Sequence, residues 1–199
     1  MTVNKRGIET VRSTTTAIRR INVERFSVIS SKSFEDTVAA LKAAVGQPDM
    51  VKFLPAVEHA QTFTELEHVV QRSLGSSGLM IFMEMDSGAV LRKETGMGTP
   101  KIIRFLIGNP LIMKEMAKYV PDAASYAPVT ILVDERSDGV HLSYDRMASF
   151  LSPYGNAEAL KVAQELDAKV EALLASCAEE FQKSKNDQRQ SAPTLNKLQ

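Results

Sequence analysis

The stretch between Lys101 and Asp145 dictates most of the predicted fold, because strand and helix patterns follow one another closely in it. Residues 102–107 are apolar at nearly every position, which is typical of a central strand. Gly108 then allows a tight turn, Asn109 is a good N-cap, and Pro110 suits the first position of a helix. The segment therefore predicts a strand that leads directly into a helix with a wide apolar arc.

A β-hairpin is predicted after the loop at 121–128. Apolar and polar residues alternate through 129–134 and again through 140–145, and the sequence Arg-Ser-Asp-Gly at 136–139 is a turn signal. One short strand is predicted at 26–30 and another at 79–86. Alternation along the latter places Leu79, Ile81, Met83 and Met85 on one face and Met80, Phe82, Glu84 and Asp86 on the other.

Three helices have an N-cap residue and an apolar stripe at helical spacing. They are predicted at 34–45 after Ser33, at 63–74 after Thr62 with Phe63 on the buried stripe, and at 157–181 after Asn156. Residues 47–61 show no sustained period and are predicted to form an irregular loop. The fold class that follows is α+β: a mainly antiparallel sheet of about four to five strands, with helices packed on one face and a long C-terminal helix.

Composition excludes several classes of protein. Lys plus Arg equals Asp plus Glu at 24 each, so no net charge attracts nucleic acid or an anionic membrane. No apolar run approaches the roughly 20 residues that a membrane span needs. Cys177 is the only cysteine, which excludes an intrachain disulfide, and its place on the apolar stripe of the last helix indicates a packing residue. No nucleotide fingerprint is present, so no cofactor is predicted.

The chain is predicted to form one domain at 23–182 between two tails. Residues 1–22 are basic and rich in Ser and Thr, and we interpret them as a flexible arm; a mitochondrial presequence is the alternative to a cytoplasmic location. Residues 183–199 are polar and are predicted to be disordered.

Two carboxylates, Glu84 and Asp86, lie about 7 Å apart on one side of a predicted strand. In a cleft, such a pair can do acid–base chemistry because each charge raises the pKa of the other. In the alternative interpretation, Asp86 caps the following segment and Glu84 is solvated. Glu65 and His68 have a spacing that can hold a metal, but Glu65 already serves a capping box, and no metal site is predicted.

His141, Ser143 and Asp145 contain the three residue types of a hydrolytic triad. Side chains at i, i+2 and i+4 of an extended strand cannot converge on one hydrogen-bond chain, so a triad is excluded here. Asp145 is interpreted instead as a cap for residues 146–151.

Several motifs together carry a resemblance to a known family. They are IGNP at 107–110, VTILVDE at 129–135 after Pro128, GVHLSYD at 139–145 and LDAKVEAL at 166–173. Over roughly Phe26 to Leu174 the chain resembles the family called domain of unknown function 302. The resemblance implies an α+β fold with a mainly antiparallel sheet, often paired into dimers, and it implies no activity.

Two departures limit what the resemblance carries over. Many members have Asp-His after the strand at 79–86, whereas Ser87 follows Asp86 here, so no histidine-dependent role is transferred. Some members have cysteines at the positions of Gly108 and Val129, so thiol chemistry is not transferred either. The sequence GNPLI without those cysteines is more similar to fungal members.

The first hypothesis is a small-molecule-binding protein, or an enzyme without metal or nucleotide cofactor, that takes a small apolar or mixed-polarity ligand. Whether the chain is an enzyme is left open. The candidate catalytic residues are Glu84, Asp86 and Tyr144, and the candidate ligand-binding residues are Asn109, Tyr126, Ser143 and Phe82. The alternative hypothesis is a non-catalytic homodimer, built through the helix at 110–119 or through the C-terminal helix.

Overall fold

The computed structural model describes residues 16–179, and its centre is an antiparallel sheet in the order β1-β5-β4-β3-β2. Each neighbouring pair is antiparallel, which confirms the predicted α+β class and the predicted hairpin between β4 and β5. The strands are β1 (Arg25–Ser30), β2 (Met80–Asp86), β3 (Ile102–Gly108), β4 (Val129–Arg136) and β5 (Gly139–Asp145).

Eight α-helices accompany the sheet within the described part of the chain, and a 3₁₀ turn spans Ser152–Tyr154. They are α1 (Phe34–Ala44), α2 (Met50–His59), α3 (Phe63–Gln71), α4 (Gly88–Thr95), α5 (Pro110–Ala117), α6 (Ala123–Tyr126), α7 (Met147–Leu151) and α8 (Ala157–Ala178). The predicted side-chain caps are confirmed, because each cap residue accepts a backbone N–H bond at its helix start: Ser33, Thr62, Asn109 and Asn156.

The main core lies between one face of the sheet and a layer of helices. Phe105, Ile131 and Leu142 are fully buried on this face, and α8 contacts β1, β5, α1, α5 and α7. The apolar stripe of α8 explains why it packs here, since burial of one large aliphatic side chain contributes about 1.5–3 kcal/mol. The opposite face of the sheet, which carries Arg104, Thr130 and Ser143, is called the polar face below.

The predicted alternation of β2 is wrong beyond Ile81, because a β-bulge between Ile81 and Met83 shifts the register. Beyond the bulge Glu84 pairs with Phe105, so Glu84 and Asp86 lie on the helix-covered face at the sheet edge. The same shift turns Met83 and Met85 to the polar face. A single inserted residue has this effect because the side-chain period of a strand is two residues.

The predicted loop at 47–61 is also wrong, since α2 occupies Met50–His59. Asp49 caps this helix by accepting a bond from the N–H of Val51, and Pro55 lies inside it. Phe53 is buried in a second, smaller cluster with Val70 of α3. The two prolines of the segment argue against a helix in the sequence. Packing against α3 stabilises the helix nevertheless.

Phe63 was predicted on the buried stripe of α3 but is half exposed. Its ring packs under the ammonium group of Lys114, 4.7 Å from the ring centroid. Val70 is the fully buried residue of this helix.

Asp167 of α8, and not Asp145, caps the N-terminus of α7. It is fully buried, and its carboxylate accepts bonds from the N–H groups of Met147 at 2.7 Å and Ala148 at 3.1 Å. Asp145 instead forms a two-bond ion pair with Arg25 on β1, with distances of 2.6 and 2.8 Å. The prediction that Asp145 caps residues 146–151 is therefore wrong, because the cap comes from a helix distant in sequence.

The helices proposed for a dimer interface, α5 and α8, contact each other inside the chain. Dimerisation stays a prediction. The predicted tail at 183–199 and most of the predicted arm at 1–22 lie outside the described residues. At the end of that arm, Arg19 stacks over the ring of Tyr154 at 3.7 Å. No helix within residues 16–179 has the length and hydropathy to cross a membrane.

Candidate functional site

Glu84 and Asp86 are held in separate ion pairs at the outer edge of the sheet. Glu84 binds Lys42 of α1 at 2.7 Å, and Asp86 binds Arg92 of α4 at 2.5 Å. The hydrogen bond from Arg92 lowers the pKa of the Asp86 carboxyl below its ordinary value, which keeps it ionised at neutral pH. An ionised, paired carboxylate is a poor general acid, although the catalytic assignment of both residues stays a prediction.

Tyr144, the third catalytic candidate, lies in the main core with 1% of its side chain exposed. Its hydroxyl donates to the carboxylate of Asp167 at 2.6 Å and accepts from the N–H of Met147. Burial, followed by the bond to Asp167, raises the pKa of this hydroxyl far above its ordinary value. The surroundings of Tyr144 are those of a structural residue that joins β5, α7 and α8.

The residues of the excluded triad have separate partners on the polar face. The Nε2 atom of His141 lies 2.9 Å from Asp138 in the hairpin turn, and Asp145 pairs with Arg25. Ser143, a candidate ligand-binding residue, is 5% exposed and pairs in register with Leu132 and Ser27. Its placement gives little room for a ligand.

A cavity of about 370 Å³ opens where β3 and β5 end and β4 begins, and we call it the sheet-end cavity. Strand residues of the polar face form its floor, and the segment around α6 and the start of α7 form its walls. Its lining includes Arg104, Leu106, Thr130, Tyr126, Phe150, Met147 and Asp145. Its volume falls within the range of small-molecule sites.

Arg104 supplies this cavity with a positive charge that no carboxylate of residues 16–179 neutralises by an ion pair. The exposed guanidinium makes one side-chain bond, from Nη2 to the hydroxyl of Thr130 at 3.2 Å. The other charged lining residue, Asp145, is neutralised by Arg25, whose guanidinium lowers the pKa of the Asp145 carboxyl. The cavity therefore has a net positive charge and suits an anionic group.

An aromatic wall lines the same cavity. The ring of Tyr126 stacks on Phe150 with centroids 4.8 Å apart. The Tyr154 hydroxyl gives its single proton to Asp122 at 2.6 Å, so the Tyr126 hydroxyl must donate in the 3.0 Å bond between the two tyrosines. These bonds fix the orientation of the Tyr126 ring, which makes the wall a rigid apolar surface.

A second cavity of about 110 Å³ adjoins the first, and we call it the apolar cleft. Phe82, Pro110 and Met113 line it together with Asn109, and it shares Ala127 and Pro128 with the sheet-end cavity. The side chain of Asn109 is occupied, since its Oδ1 accepts from Leu111 and its Nδ2 donates to the carbonyl of Gly78.

The structure thus brings three of the four predicted ligand-binding residues into two adjoining cavities. Phe82 and Asn109 line the apolar cleft and Tyr126 lines the sheet-end cavity. It does not bring Glu84, Asp86 and Tyr144 together with them. Sequence reasoning missed Arg104, although a single charge inside an otherwise apolar strand is a signal for a polar pocket on one face.

Other features of the described residues offer less to a ligand. A surface depression of about 410 Å³ beside Ser76 and Lys169 is larger but more open and has no aromatic wall. Among residues 16–179, no group of three or more His, Cys, Asp or Glu side chains has a metal-binding arrangement. Cys177 is buried, and desolvation raises the pKa of its thiol, which makes it a poor nucleophile.

Comparison with known proteins gives a family and a fold. The family model described as domain of unknown function DUF302 matches residues 55–177, more than half of the chain. The chain is also similar to a solved structure, the crystal structure of an uncharacterized conserved protein DUF302 from Bacillus stearothermophilus, with a TM-score of 0.55 and 9% identity. That match covers 77% of this chain and 97% of the other, and at this identity it concerns the fold alone. No curated protein sequence matches the chain significantly.

Proposed function

The chain belongs to the DUF302 family, whose function is unknown, and on that premise we propose that it is a small-molecule-binding protein whose site is the sheet-end cavity. The observation that carries the proposal is the unpaired guanidinium of Arg104 inside a cavity with an aromatic wall. A cavity of this kind holds a ligand by apolar contact and orients it by one charged group.

The chemistry of the lining defines the class of ligand. Arg104 favours a carboxylate or another planar anion, because a guanidinium can donate two parallel bonds to it. Tyr126 and Phe150 favour a flat or aliphatic apolar part next to that anion. The ligand of the proposed site is therefore a small organic acid rather than a sugar or a metal ion.

Benzoate is a suitable probe, because it combines a carboxylate with a flat apolar ring. We expect isothermal titration to show saturable binding of benzoate and at least about tenfold weaker binding to Arg104→Gln, because a hydrogen bond to a charged group contributes about 1.5–3 kcal/mol. The exposed Arg72, which follows the last residue of α3, does not line the cavity, so Arg72→Gln serves as the matched control with unchanged affinity.

Benzamide provides a control on the ligand side, because it has the same ring and no charge. We expect it to bind the wild-type protein as weakly as benzoate binds Arg104→Gln. Equal affinity of benzoate for the wild-type protein and Arg104→Gln would refute the proposal.

A further inference from the structure

The sheet-end cavity and the apolar cleft meet along one segment of the chain. Ala127 and Pro128 line both of them. The relation of the two cavities therefore decides how long a ligand the protein can take.

The floor beneath this segment is continuous along β3. Arg104, Leu106 and Gly108 are alternate residues and lie on the same face of the strand, and the first two line the sheet-end cavity. The path from Arg104 to Gly108 is about 13 Å at the ordinary rise of a strand.

Gly108 is packed closely beneath Phe82 and Pro128, beside the junction of the two cavities. A Cβ at this position would lie 3.3 Å from the Cβ of Pro128 and 3.6 Å from the Cε2 of Phe82. Both of those side chains line the apolar cleft. A side chain at Gly108 would therefore press on Pro128, which lines both cavities, and would change the shape of their junction.

The two ends of this path differ in chemistry. The sheet-end cavity holds the unpaired charge of Arg104, whereas the apolar cleft is lined by Phe82, Met113 and proline. Asn109 is the one polar side chain of the cleft lining, and its amide is already hydrogen-bonded on both atoms. The cleft thus suits an apolar group, and the flexible Met113 can adapt to its shape.

We infer that the two cavities form one site for a medium-chain carboxylate, with the carboxylate at Arg104 and the hydrocarbon chain passing Pro128 into the apolar cleft. This inference rests on the proposed function and adds that the acid carries a hydrocarbon chain of medium length. It places Phe82 and Met113 next to the far end of the ligand's hydrocarbon chain.

Photochemical labelling tests where the hydrocarbon chain of the ligand lies. The probe is decanoate with a diazirine at its far end, cross-linked to the wild-type protein and mapped by peptide mass spectrometry. We expect labels at Phe82 and Met113, and we expect an excess of unlabelled decanoate to remove them by competition. Labels confined to Met147 and Phe150 would place the chain in the sheet-end cavity and overturn the inference, and so would labels on α8 or α4.

Chain-length dependence tests the role of Gly108. Wild-type protein should bind decanoate about tenfold or more tightly than hexanoate, because each buried methylene adds affinity. In Gly108→Ala we expect this ratio to fall to about threefold or less. Gly98→Ala, where an added Cβ has no neighbour within 4 Å, is the matched control and should keep the wild-type ratio.

The two proposals fail in different ways. Binding of benzoate without a preference for decanoate, or an unchanged ratio in a folded Gly108→Ala protein, would overturn the inference and leave the proposed function intact. Failure of benzoate to bind the wild-type protein would remove both.

Discussion

Asp167→Ala will lower the free energy of unfolding by about 3–5 kcal/mol, because three donors lose their bonds to this buried carboxylate and two of them, all but the N–H of Met147, have no other acceptor. Each donor left unsatisfied costs about 1–3 kcal/mol. The donors are the hydroxyl of Tyr144 and the N–H groups of Met147 and Ala148. Arg146 lies 3.7 Å from the same carboxylate and would lose a neighbouring charge. Equilibrium denaturation followed by circular dichroism measures the effect.

Two further variants make this result specific. Tyr144→Phe removes one donor and keeps the ring, so we expect a loss of about 2 kcal/mol. Glu165→Ala changes an exposed carboxylate on the same helix and should stay within about 0.5 kcal/mol of wild type. If Asp167→Ala were as stable as Glu165→Ala, the structural role assigned to the Tyr144–Asp167 bond would be wrong.

Gly75→Ala will lower the free energy of unfolding by about 3 kcal/mol or more, because an added Cβ meets backbone rather than a movable side chain. That Cβ would lie 2.4 Å from the carbonyl carbon of Val45 and 2.5 Å from the N atom of Gly46. The close approach is held by bonds from the N–H groups of Gly46 and Gly75 to the carbonyl of Leu79, at 2.9 and 3.0 Å. The same denaturation experiment measures this loss of unfolding free energy.

Gly98→Ala is the control for this change, since its added Cβ meets nothing within 4 Å. We expect it to stay within about 0.5 kcal/mol of wild type. Equal stability of Gly75→Ala and Gly98→Ala would show that the chain does not cross tightly between α1 and β2.

Local signals in the sequence predicted most of the fold. Ser33, Thr62, Asn109 and Asn156 accept the N-cap bonds that their positions indicated, because capping depends on neighbouring residues alone. The hairpin was predictable for the same reason, since alternation and a turn sequence are both local.

The sequence-based predictions are wrong where a residue distant in the chain decides the local structure. The bulge after Ile81 reverses the faces of Glu84 and Asp86, and it is set by pairing with β3. The cap of α7 comes from Asp167, 20 residues from Met147 in the chain. Helix α2 contains Pro55 and is stabilised by packing of Phe53 on α3 rather than by its own propensity.

The candidate site was partly predictable. Asn109 and Tyr126 were singled out because they flank predicted strand ends, which can meet at one edge of a sheet. Phe82 was named with them from the middle of a predicted strand. Arg104 could have been found as the one charge in an apolar strand. Its neutral neighbour Thr130 and the ion pair between Asp145 and Arg25 depend on strand order, which no local pattern contains.

Methyl-resolved nuclear magnetic resonance of the full chain shows directly whether benzoate binds in the sheet-end cavity. On titration with benzoate, we expect saturable shifts of the methyl resonances of Leu106, Thr130 and Met147, which line the cavity. The methyl groups of Val51 and Leu91, exposed and outside its lining, should not shift. Saturable shifts at these outer positions, with the three cavity residues unchanged, would show that benzoate binds outside the sheet-end cavity and would refute the proposed site.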